Sequence, residues 1–151
     1  MRIQIFIITC FFLGSLNANA QNFFSEKFEN CNVNGFAIES DTVTAKVSNV
    51  RLIKILTKGL DEKTINRLKG DFRLQIAVDS MGNSCLVSLQ NNSNLKTEKS
   101  ELKKAIDNDL VWERPKKEVF AYVVFRFKRG GLVEITRMGM NGSRGIHELV
   151  D

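Results

Sequence analysis

The plainest pattern in the chain is the alternation over Phe72–Asp79. Phe72, Leu74, Ile76 and Val78 share one face, and Arg73, Gln75 and Ala77 take the other. A period of two marks a strand with one face in a core. Asp79-Ser80-Met81-Gly82-Asn83 is turn chemistry, with a glycine for positive φ. Ser84–Gln90 then returns with Cys85, Val87 and Leu89 alternating. Beyond a polar loop at Gln90–Asn94 the period lengthens to that of a helix. Over Thr97–Asn108, Leu102, Ala105 and Ile106 form an apolar stripe and Glu98, Lys99, Glu101, Lys103 and Lys104 face water. Such a helix covers one face of a sheet. Val119–Lys128 alternates again but is apolar on both faces, which predicts an inner strand covered on both sides. Arg129-Gly130-Gly131 is a tight turn, and Leu132–Arg137 a fourth strand hairpinned to the third.

Upstream the signals are weaker. Ser40–Val47 alternates Val43, Ala45 and Val47 against Thr42, Thr44 and Lys46 and predicts a short strand. Asn49–Thr57 fits helix or strand by periodicity, and Ser48 as N-cap with Gly59 beyond favours helix. Asp61 caps a second short helix, Glu62–Leu68, ended by Lys69-Gly70. Gln21–Ile38 reads as a lead-in packed by Phe23, Phe24 and Phe28, and the glycine-rich end as a mobile tail. The expected fold is α+β: a small antiparallel sheet with a helix packed on one face and two short leading helices. The expected divisions are 1–20, a cleaved leader; 21–48, the lead-in; 49–137, the α+β domain; and 138–151, a flexible tail.

The leader rests on Arg2, the apolar run Ile3–Leu13 and the small-residue site Ala18-Asn19-Ala20. This is the layout of a secretory signal peptide. The run is short of the roughly 20 apolar residues that span a bilayer. A periplasmic or secreted protein that does not span a membrane is therefore expected. Export would place Cys31 and Cys85 in an oxidising compartment. They either form one disulfide, worth roughly 4 kcal/mol by loop-closure entropy, or remain free, with Cys85 acting as a small core hydrophobe.

The formal charge of +5 is spread thinly. Lys103-Lys104, Lys116-Lys117 and the Arg126/Lys128/Arg129 group are its only concentrations, and a nucleic-acid binder should show a denser patch. No catalytic constellation assembles. His147 is the sole histidine and sits among glycines. Metal binding needs clustered Cys, His or carboxylates that the chain does not supply, so no metal or other cofactor is expected. Trp112 reads as a plug between helix and sheet, and Pro115 as the stop before the next strand.

In order and spacing, these elements resemble the C-terminal domain of the TonB family. The likeness covers about Val50–Phe127: two leading helices ending at Lys69-Gly70, a strand, the Gly82 turn, a second strand, a helix carrying Ala105-Ile106, Trp112-x-x-Pro115 and an apolar strand. The resemblance implies a non-enzymatic domain of the Gram-negative periplasm that takes a peptide of an envelope protein, such as an outer-membrane transporter, as an added strand. The edge it implies is Val119, Ala121, Val123, Phe125 and Phe127, or the element beside it, with Leu132, Val133 and Ile135. An open edge would also permit a homodimer. The chain departs from the family's energy transducers in its cleavable leader and its single proline. A fourth strand after Gly130-Gly131 would occupy the very edge a peptide needs. The other expectation is a basic envelope protein that binds an anionic surface polymer such as lipopolysaccharide.

Overall fold

The computed structural model describes residues Asn22–Leu149, so the expected leader lies outside the described residues. In order the elements are β1 (Glu26–Lys27), β2 (Ala37–Ile38), α1 (Asn49–Leu56), α2 (Glu62–Arg67), β3 (Gly70–Val78), β4 (Ser84–Asn91), α3 (Thr97–Ser100), α4 (Leu102–Asp109), β5 (Val119–Phe127), β6 (Val133–Asn141) and β7 (Gly145–Glu148). The strands form one seven-stranded sheet ordered β1-β4-β3-β5-β6-β7, with β2 joined to β5. Every pairing is antiparallel except β2 with β5. The fold is α+β, as expected.

Local chemistry accounts for the element ends. Ser48 Oγ accepts from the Arg51 amide at 3.3 Å and Asp61 Oδ1 from the Thr64 amide at 2.7 Å, each capping a helix start. At the β3–β4 turn, Asp79 Oδ1 accepts from the amides of Met81 and Asn83. Gly82 there has φ +87, and a Cβ on it would stand 2.4 Å from the Trp112 carbonyl oxygen. The turn is thereby stitched to the segment entering β5: the Trp112 amide donates to Gly82 O at 2.9 Å. The helix expected over Thr97–Asn108 is broken in two, because Glu101 takes a left-handed conformation, φ 52.

The two faces of the sheet bury different partners. Phe72, Leu74, Ile76 and Val78 of β3 join Ala121, Val123, Phe125 and Phe127 of β5 in the main core. Over them lie Leu52 and Leu56 of α1, Leu102 and Ile106 of α4, and Trp112. Full burial of side chains this size favours the folded state by roughly 1.5–3 kcal/mol each. The lead-in covers the other face. Phe24 packs edge-on against Tyr122, ring centroids 5.1 Å apart. Phe36 and Ile38 pack with Phe120, Ala77 and Val87. β5 is thus covered on both faces, the second by Phe23, Phe24, Phe36 and Ile38 of the lead-in, while Phe28 packs against the main core.

Two further expectations change. Ser40–Val47 forms no strand. Glu39 is buried beneath it, and its Oε1 accepts from the amides of Thr44 (2.7 Å) and Ala45 (2.8 Å), bonds that a ladder would need. The stretch 138–151 does not trail off as a tail: as far as Leu149 it completes β6 and adds β7. Asn141 Oδ1 holds the tight turn by accepting from the amides of Ser143 and Arg144, and Leu149 is buried. Gly139 serves close approach, since a Cβ there would lie 2.3 Å from the Ser40 carbonyl oxygen. There the chain at Glu39 enters between β5 and β6: its amide donates to Phe120 O and its carbonyl accepts from the Met140 amide.

Candidate functional site

Val119, Ala121, Val123, Phe125 and Phe127 do not form an edge. β5 pairs with β3 along its whole length and with β6 over Tyr122–Phe127, and β2 pairs with Val119 and Phe120, two of the three positions left. All five of those side chains are buried in the main core. The fourth strand has displaced the edge outward, to β6.

The outer side of β6 is partly open. The Lys128 amide donates to Leu132 O at 2.8 Å, which turns Leu132 toward β5. By alternation Glu134 and Thr136 also bond inward, while the peptide groups of Val133, Ile135 and Arg137 point outward. The Leu149 amide reaches Arg137 O at 2.9 Å, and β7 pairs from Met138 onward. Val133 and Ile135 keep outward N–H and C=O groups without a backbone partner among the described residues. Their side chains pack against the main core, whereas Leu132 is exposed. Glu134 stands between them with Lys128 at 3.0 Å and Arg126 at 3.1 Å. The hydrogen bond and charge of Lys128, then those of Arg126, hold its carboxyl below the usual value.

The opposite edge, β4, is closed over its centre. β1 pairs with Ser88 and Leu89, the Phe28 amide donates to Val87 O at 2.9 Å, and Asp107 Oδ1 accepts from the Leu86 amide at 2.8 Å. Cys31 and Cys85 form a disulfide, Cα atoms 5.8 Å apart, that ties the lead-in to this edge.

A second region was not assembled by sequence reading. The segment from Ala37 to Lys46 and the segment from Glu113 to Val119 enclose a hollow of about 650 Å³. A neighbouring hollow of about 400 Å³ shares Val43, Lys46 and Glu113 and reaches Arg137. The walls are joined by the Glu113 amide donating to Lys46 O at 2.8 Å. Beneath them Arg137 donates from Nη2 to Glu39 and from Nη1 to Ala45 O at 2.9 Å, and its guanidinium lies over Trp112 at 5.1 Å. Of this region, the sequence shows Lys116-Lys117 as a local concentration of charge, Pro115 as the stop before a strand and Val43 in a strand-like alternation, with nothing to bring them together.

Catalytic geometry does not come together around His147. Its Nδ1 lies 3.0 Å from Gly145 O and its Nε2 3.5 Å from Asp41 Oδ1, in the β6–β7 hairpin. Among the described residues no group of three His, Cys, Asp or Glu side chains is placed to hold a metal ion. No described helix is long and apolar enough to cross a membrane. No protein-family model, curated protein or solved structure matches the chain.

Proposed function

We propose that this protein is an exported, non-enzymatic binding module that takes an extended segment of an envelope protein as an added strand on β6. The open outward peptide groups of Val133 and Ile135 carry this reading. An incoming strand would continue the line that β7 begins, gaining backbone hydrogen bonds for affinity, while contacts to alternate side chains would supply selectivity. The TonB-like order of elements supports the same mode of recognition, moved one strand outward from where that resemblance implies it. The disulfide suits an oxidising compartment such as the periplasm or the exterior.

The experiment is a titration of the exported protein with peptides from outer-membrane transporters and other envelope proteins, followed residue by residue at the backbone amides. Strand addition predicts that the amides of Val133 and Ile135 shift and become slow to exchange, while those of β5, already paired, stay still. If these two amides are protected before any peptide is added, or if a peptide binds without moving them, the reading is wrong. A second copy of the chain on this edge would reveal itself as concentration-dependent mass in sedimentation without peptide.

A further inference from the structure

We infer that the hollow between Ala37–Lys46 and Glu113–Val119 is a binding site for a small amphipathic anion, a phosphate or carboxylate carried on an alkyl body. It lies at the start of β5, whereas the open part of β6 lies beside the end of β5. Val133 and Ile135 pair with Phe127 and Phe125, roughly 20–25 Å along the strand from Val119.

The chemistry of the walls selects the ligand. The floor is largely apolar, with Ile38, Val43 and Val119, and the buried carboxylate of Glu39 among them is taken by Arg137. The rim carries Lys46, Arg114, Lys116 and Lys117, all exposed. None of these four side chains has an ion-pair or hydrogen-bond partner among the described residues. Other surface cations divide between paired ones, such as Lys58 with Asp109 and Arg126 and Lys128 with Glu134, and unpaired ones, so what sets the rim apart is that four such cations converge on one hollow. Of the two carboxylates lining the hollow, Glu39 is already engaged by Arg137, which leaves Glu113 against four cations. The rim is therefore net positive over an apolar floor, and the hollow has the size of a small-molecule site. A bare inorganic anion would leave the floor wet. An uncharged apolar molecule would leave the cations unanswered. A headgroup on the rim with a short chain on the floor satisfies both.

The test is calorimetric titration of the exported protein with dihexanoyl phosphatidate and with decanoate, each below its micelle concentration. Dihexanoyl phosphatidylcholine and inorganic phosphate are the controls. Binding of either amphipathic anion, ~10-fold or more tighter than both controls, is expected. The double variant Lys116→Glu/Lys117→Glu, exposed and outside every core cluster, should weaken binding by ~10-fold or more with an unchanged melting temperature. The amides of Val133 and Ile135 should not respond to either ligand. Equal binding of phosphatidylcholine, equal binding of phosphate, or full affinity in the double variant would each overturn the inference.

Discussion

Arg137 and Glu39 meet inside the protein across 98 positions of sequence, with side chains 8% and 0% exposed. Glu39 is also the acceptor for the Thr44 and Ala45 amides, so one carboxylate organises both the loop and the contact to β6. Replacing Arg137 by Met would leave that carboxylate buried without its counter-charge. Breaking such a pair from one side costs about 3–5 kcal/mol. The urea midpoint of Arg137→Met should fall accordingly. The double variant Glu39→Gln/Arg137→Met should lose less than the sum of the two single changes. Strict additivity would mean that the two groups do not act as a pair in solution.

The Cys31–Cys85 bond closes a long loop, 54 positions in sequence. Loop-closure entropy alone gives it about 4 kcal/mol of stabilisation. Cys31→Ser/Cys85→Ser should fold but unfold at clearly lower denaturant, and the oxidised protein should gain the mass of two hydrogens on reduction. A protein whose intact mass does not change under reductant carries no such bond.

Tyr122 is the sole tyrosine, so its titration can be read without ambiguity. Burial against Phe24 raises its pKa above the ordinary 10.0, and the nearby Arg73 offsets only part of that. The folded state thus favours the neutral phenol. Its contribution to stability is complete below the unfolded pKa and is lost as pH rises through the folded one. Tyrosinate absorbance of the native protein should rise later than that of the unfolded chain. Tyr122→Phe should remove the corresponding alkaline loss of stability. Coincident native and unfolded titrations would refute this.

What could be read from sequence was what hydropathy period encodes. β3, β4, α4 and β5 each bury one or both faces in a core, so their apolar residues recur at the spacing of the element. Ser40–Val47 shows the limit. Its alternation is strand-like, but a buried carboxylate captures its amides, and that contact to Glu39 leaves no trace in periodicity. The glycines near the end looked like freedom. Gly139 is instead small because another backbone passes against it. Which of β5 and the element beside it forms the edge is a matter of topology: a strand's composition reports whether its faces are buried and says nothing of how many neighbours it pairs with. The rim of the proposed anion site comes from two segments distant in sequence, each unremarkable until the fold sets them opposite one another.

The covering of β5 by the lead-in has a kinetic consequence. The hairpins β3–β4, β5–β6 and β6–β7 join neighbours in the chain and the central β3–β5 pairing runs from Val78↔Val119 to Gly70↔Phe127, whereas the lead-in reaches farther still: the Phe24 amide bonds Ser88 Oγ 64 positions away. Contacts of such separation carry a larger closure entropy and tend to form late. The lead-in should therefore be absent from the rate-limiting assembly of the sheet. Phe24→Ala is then expected to speed unfolding while leaving the refolding rate nearly unchanged. A refolding rate that falls in step with stability would show the opposite. In nascent protein, Cys85 would remain an accessible thiol until the rest of the sheet had formed, and the oxidation that joins it to Cys31 would act as the final latch.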